Sequence, residues 1–263
     1  MKIRKSVVLF ATTSAFAASC AYAQSSVTMY GVIDTMMRHT NHEITPDGRT
    51  GSQTRLESGL FQGSRVGFKG VEDFGNGSAA VFQLEMGFDP STGASGQQGQ
   101  LFGRQAYVGL QDKNWGEIDF GRQYGVAFGV LANYDPLSTG NTSENSWQLA
   151  LTGVRFDNSV KYNNTWGPIW LELQGSFGEQ AGSSSDGATL GASLGYDNGP
   201  LSAAIFDQQS KDGFGNKLNV FGLGGYYNFD PVTFYANYFQ ANRDPGFDPA
   251  ASNSGLPLAR QLF

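Results

Sequence analysis

Two-residue alternation of apolar and polar side chains, repeated along most of the chain, constrains this sequence more than any other feature. A segment with that period has two unlike faces only as an extended strand. Between residues 80 and 88, Ala80, Phe82, Leu84, Met86 and Phe88 share one face, and Val81, Gln83, Glu85 and Gly87 share the other. Ile169, Leu171 and Leu173 alternate against Trp170, Glu172 and Gln174. Leu190, Ala192, Leu194 and Tyr196 oppose Gly191, Ser193 and Gly195, and Val232, Phe234, Ala236 and Tyr238 oppose Thr233, Tyr235 and Asn237. In residues 155–162, Phe156, Val160 and Tyr162 fall with Asn158, opposite Arg155, Asp157, Ser159 and Lys161.

Eleven such strands begin near Val27, Ser64, Ser78, Gly103, Glu117, Arg155, Ile169, Ala188, Leu201, Leu218 and Val232. Short connections rich in Gly, Asn and Asp, such as residues 72–77, 112–116, 163–168, 197–200 and 228–231, supply the positive-φ positions that hairpin turns need. They alternate with longer polar stretches at residues 39–59, 89–100, 124–154, 179–187 and 210–217. The pattern predicts an all-β, antiparallel, up-and-down barrel with two unlike rims.

The first 23 residues are an export signal: Lys2, Arg4 and Lys5, then a short apolar run, then Ala21-Tyr22-Ala23 as a cleavage site. Acylation of Cys20 is the other reading of this segment, but Ala17 stands where such sites carry Leu. Residues 24–263 are then the mature domain. Cleavage removes the one cysteine and three of 17 basic residues, deepening the formal charge of −6. An acidic chain lacks the basic face of a nucleic-acid binder, so no nucleic-acid partner is expected. Of the two histidines, His39 and His42 lie in one polar stretch without a third ligand, so no metal site and no cofactor is expected. With no histidine inside the strands, a Ser/His/Asp set there is out of reach, and the chain is expected not to be an enzyme.

The medium on each side of the sheet remains to be decided. In a soluble secreted binding protein, the apolar faces pack on a second sheet; in a membrane barrel they meet lipid and the polar faces line a lumen. Export, strands of about 10 residues, and aromatics near strand ends favour the membrane. Those aromatics are Phe88, Trp115, Tyr162, Trp166, Phe177, Tyr196, Phe229 and Tyr238.

The run GSRVGFKGVEDFGNG at residues 63–77, followed by VFQLE at 81–85, resembles the general porin family of Gram-negative outer membranes. The likeness continues through TMYGVID (28–34), GRQAYVGL (103–110), FGRQY (120–124) and DNSVKY (157–162), covering nearly the whole mature chain. The resemblance implies sixteen-stranded transmembrane barrels in outer-membrane lipid, assembled as homotrimers, that pass ions and small hydrophilic solutes. It implies a long third loop folded inward, here residues 124–154, with Asp135 and Glu144 as its acidic members. Asp135 falls where the family carries a constriction carboxylate. Arg65, Arg104 and Arg155 match the opposing arginine cluster, and Glu85 matches a lumenal carboxylate. The matched arginines outnumber the matched loop carboxylate, Asp135, so a lean toward anions is expected.

Parity agrees with these positions. Arg65 and Lys69 oppose Val66 and Phe68, and Asp157 and Lys161 share a polar face, so all are expected to line the lumen. Arg122 shares the parity of Ile118 and Phe120, which places it at a rim or against a neighbouring subunit. Eleven strands fall short of sixteen, and the tail from Pro245 to Phe263 lacks a final alternating strand. The sequence therefore reads as truncated at its C-terminus, with two strand edges that lipid cannot satisfy.

Overall fold

The computed structural model describes residues 26–59, 61–137 and 152–252. The export signal, Glu144 and the last residues of the tail lie outside them.

Strands β1 (Ser26–Val32), β2 (Thr35–Ile44), β3 (Thr50–Ser58), β4 (Arg65–Gly75) and β5 (Ser78–Gly87) open the chain. β6 (Gln105–Asp112) and β7 (Gly116–Tyr124) precede one helix, α1 (Val126–Asn133). Beyond it come β8 (Arg155–Trp166), β9 (Ile169–Ser176), β10 (Thr189–Asn198), β11 (Leu201–Lys211), β12 (Lys217–Asn228) and β13 (Thr233–Arg243). Eleven of these form one antiparallel sheet in the order β1-β4-β5-β6-β7-β8-β9-β10-β11-β12-β13, matching the eleven expected strands. The sheet is open, with β1 and β13 at its edges.

The polar stretch at residues 39–59 is not merely a loop: β2 and β3 pair there as a separate hairpin. Its side chains are mostly exposed on both faces, so no apolar stripe announced it. Short turns behave as their residues require. Gly75 and Ser78 pair around Asn76 and Gly77, whose φ values of 59° and 89° are both left-handed.

Register aligns the alternating faces across strands. Leu171 pairs with Leu194, Leu194 with Ile205, Ile205 with Leu223, and Leu223 with Tyr238. The last four of this row are 45–56% exposed, whereas Ser193, Ala204 and Phe206 on the opposite face are 5% or less. The sheet is therefore apolar where it is open and covered where it is small, polar or packed. Exposed aromatics mark the short-turn end: Trp115, Trp166, and the Tyr227–Phe229–Phe234 cluster with centroids 4.4 and 5.6 Å apart.

α1 covers part of the inner face. Ala127, Val130, Leu131 and Tyr134 bury against Ala204, Phe206, Leu218, Val220 and Phe247. At about 1.5–3 kcal/mol for each large apolar side chain removed from water, this contact outweighs the absence of any side-chain cap on Gly125. Two glycines make the approach possible. A Cβ at Gly224 would stand 2.7 Å from the Tyr134 ring, and one at Gly191 would collide with the Val126 side chain.

At the long-loop rim, Asp212 ties three segments together. Its carboxylate accepts from the backbone N–H groups of Phe214, Asn216 and Asp248 at 2.9 Å and from Asn216 Nδ2 at 3.0 Å. Its carbonyl accepts from Gly187 N at 2.8 Å. Burial alone would raise the Asp212 carboxyl; the donors, led by Asp248 and Asn216, hold it below the ordinary aspartate value. A pKa depressed in the folded state stabilises the rim above the unfolded value, near 3.9, and that contribution disappears as pH falls through the folded pKa. Amide exchange at Asn216 and Asp248, corrected for intrinsic rates, should therefore be protected at pH 7 and lose protection below about pH 4. Protection unchanged down to pH 2 would contradict this.

Candidate functional site

The inner face carries a wall of charge built around Glu85. Register sets Tyr30 beside Gly67, Gly67 beside Glu85, and Arg65 beside Gly87. Because Gly67 has no side chain, Tyr30 lies across it, and a Cβ there would stand 2.6 Å from the ring. Tyr30 OH thereby donates to Glu85 Oε2 at 2.8 Å. Arg104 Nε donates to Glu85 Oε1 at 2.7 Å, and Arg65 Nε lies 3.8 Å from Oε2. Arg65 also donates to Gln62 Oε1 and to the Gly63 carbonyl, both at 3.2 Å.

Tyr124, the last residue of β7, extends the wall. Its hydroxyl accepts from Arg104 Nη2 at 2.8 Å and from Arg155 Nη2 at 3.1 Å. The Arg155 guanidinium sits 4.6 Å from the Tyr124 ring centroid, and that ring stacks on Phe128 of α1 at 4.8 Å. Three guanidiniums thus gather around one carboxylate and one phenol, fixed to the start of the inward helix. Arg155 is almost fully buried and keeps Nε without a hydrogen-bond partner among the described residues.

The structure brings together Arg65, Arg104, Arg155 and Glu85. Asp135 stands elsewhere. It is buried just beyond the far end of α1, accepting from Leu137 N at 3.0 Å. Its neighbour Tyr134 pairs with Ser202 Oγ at 2.9 Å and accepts from Asn237 Nδ2 at 3.3 Å. The helix, about 12 Å long, carries it away from Tyr124. Lys69 is exposed, with Nζ 5.7 Å from the Tyr30 ring centroid, while Lys161 is buried and donates to the Tyr124 carbonyl at 2.7 Å.

Strict parity fails where β7 meets β8. Between Gly121 and Gln123 the β7–β8 register shifts, and Asn158 adopts φ 50°. This bulge carries Phe156, expected outward, into full burial, and a Cβ at Gly125 would stand 2.6 Å from its ring. Arg122 remains opposite Ala106, but its guanidinium reaches Asp157 at 2.6 Å and the Gly103 carbonyl at 2.8 Å. Asp157 is accordingly bound to Arg122. Sequence reasoning missed Tyr30 and Tyr124 as organisers, although both stand in the runs TMYGVID and FGRQY. The spelling GASLG at residues 191–195 lies within β10, with Ser193 Oγ donating to Glu172 Oε2 at 3.2 Å. It is a strand interior rather than the strand–turn–helix elbow of a hydrolase nucleophile.

A family model described as Gram-negative porin matches residues 11–256. The chain belongs to that family. It is 33% identical to an outer membrane porin protein of Bordetella pertussis over 98% of this chain and 74% of that one. It is 32% identical to outer membrane porin protein 32 of Delftia acidovorans, over 86% of this chain and 66% of that one. Among solved structures, an anion-selective porin from Comamonas acidovorans superposes with a TM-score of 0.72 at 28% identity, covering 84% of this chain and 69% of that chain. This porin chain therefore spans about two-thirds to three-quarters of the length of these relatives. It is an all-β outer-membrane protein of a Gram-negative bacterium and not an enzyme, and the soluble secreted alternative falls away.

The seat of α1 can be tested at Gly191. Gly191→Leu overpacks against Val126 by an amount worth about 1–3 kcal/mol, so the helix should lift from the sheet. In a Val130→Cys background, maleimide labelling should then accelerate by about tenfold, because Val130 is buried in the unmodified porin. Unchanged reactivity would show that the helix does not depend on this contact.

Proposed function

We propose that this porin forms a water-filled channel for passive diffusion of ions and small hydrophilic solutes, narrowed where Arg65, Arg104, Arg155 and Glu85 line one wall. The inward segment bearing α1, Asp135 and Glu144 supplies the other side of the constriction, with Lys69, Lys161 and Asp157 lining the adjoining lumen. The observation that carries this reading is the convergence of three arginines on a single carboxylate and the phenol beside it.

Such a wall, three arginines against one carboxylate, carries an excess of two positive charges. At about 8 Å in water, two unit charges favour a passing anion by about 1 kcal/mol, roughly fivefold before salt screening. The relative named as an anion-selective porin supports the same direction. The fully assembled form is a homotrimer, with part of the apolar outer face, and the rim near Arg122, turned to neighbouring subunits and the remainder to lipid.

Reversal potentials in a salt gradient, measured on porin extracted from the outer membrane with detergent, test this directly. Anion preference is the expected result, falling toward unity in an Arg104→Ser, Arg155→Ser double variant and rising in Glu85→Gln. A clear cation preference in the unmodified protein would overturn the reading. Heat-modifiable migration of the same extract checks the trimer.

A further inference from the structure

Toward the short-turn end of the inner face, β6–β9 line an open cavity of about 350 Å³ that the arginine wall does not use. Its size lies at the lower end of the roughly 300–1,000 Å³ typical of small-molecule sites. Glu117, Asp119 and Glu172 line it, together with Lys161 and the aromatic side chains of Tyr107 and Trp170.

Its unmet hydrogen-bonding capacity has one sign. Asp119 is 3% exposed, yet its Oδ1 has no hydrogen-bond partner among the described residues. Asn163 Oδ1, in the same lining, is likewise without a donor. The lining's ammonium does not answer this demand, since Lys161 Nζ is drawn to the Tyr124 carbonyl at 2.7 Å. Glu172 receives only Ser193 Oγ, at 3.2 Å on Oε2, among the hydrogen bonds described. Three carboxyl groups against one lysine give the cavity an acidic lining, next to a wall rich in arginine. Buried acceptors without donors are costly, and a ligand that brings N–H donors and positive charge relieves both deficits. The indole of Trp170, laid over the bare backbone of Gly195, adds an aromatic surface suited to a cation.

We propose that this cavity is a binding site for the primary ammonium group of a small organic solute, with Asp119 and Glu172 as its anionic ligands and Trp170 as its aromatic wall. The site rests on the inner face being wet, as the channel reading holds, but not on the constriction's selectivity. A cationic or zwitterionic amine crossing the pore would pause here after passing the arginines.

Calorimetric titration of the full chain in detergent micelles with n-butylammonium chloride tests the site. Saturable binding is expected, with n-butanol and potassium chloride producing none. Glu172→Gln should weaken binding by roughly tenfold, the loss of one charge-assisted hydrogen bond. Lys161→Met should tighten it, a change that misfolding cannot mimic. Equal binding of n-butanol, equal competition by potassium, an unaltered affinity in Glu172→Gln, weaker binding in Lys161→Met, or no saturable binding would each overturn the proposal. Failure here would leave reversal potentials anion-selective, whereas loss of anion preference with amine binding intact would sink only the constriction.

Discussion

The whole structure depends on an inverted division of solvents across one sheet. Lipid offers no hydrogen bonds, so backbone groups must pair strand to strand, and side chains facing outward must be apolar. The row Leu194–Ile205–Leu223–Tyr238 is exposed for this reason, and in water such a surface would be a liability. Most strand charge then collects on the inner face, where Glu85, Arg65, Arg104, Asp119 and Lys161 are found. At the lipid-facing midplane each such cation would cost about 2–4 kcal/mol.

The inner face is divided in turn. On β4–β9 it is polar and holds the arginine wall and the acidic cavity. On β10–β12 it is small or apolar, and α1 covers it through Ala127, Val130, Leu131 and Tyr134. Tyr124 joins these halves: its hydroxyl serves Arg104 and Arg155, and its ring stacks on Phe128 at the head of the helix. Guanidinium geometry and loop position are thus set by the same residue. Gly67 and Gly224 act as clearances, letting Tyr30 reach Glu85 and Tyr134 reach the sheet.

Much of this was legible in the chain. Alternation located all eleven strands of the main sheet, because each meets two different media and records both. The hairpin of β2 and β3 escaped since both its faces are exposed, leaving no contrast to read. Phe156 was misplaced because a bulge adds one residue, and periodicity counts residues without seeing which are unpaired. On β11 the run Ala203, Ala204, Ile205, Phe206 is apolar on consecutive positions, a sign that something packs on its inner face as well. Family likeness brought the three arginines and Glu85 together, but neither spacing nor charge marked Tyr124 as the group between them.

The most direct test of the central claim is to ask which face touches hydrocarbon. Photolabelling the porin in bilayers with a carbene precursor confined to the lipid core, followed by peptide mapping, should mark Leu194, Ile205 and Leu223 and spare Gln83 and Glu172. Labels on Gln83 and Glu172 with Leu194 and Ile205 untouched would mean that the sheet is wetted the other way round, and the channel would have to be abandoned.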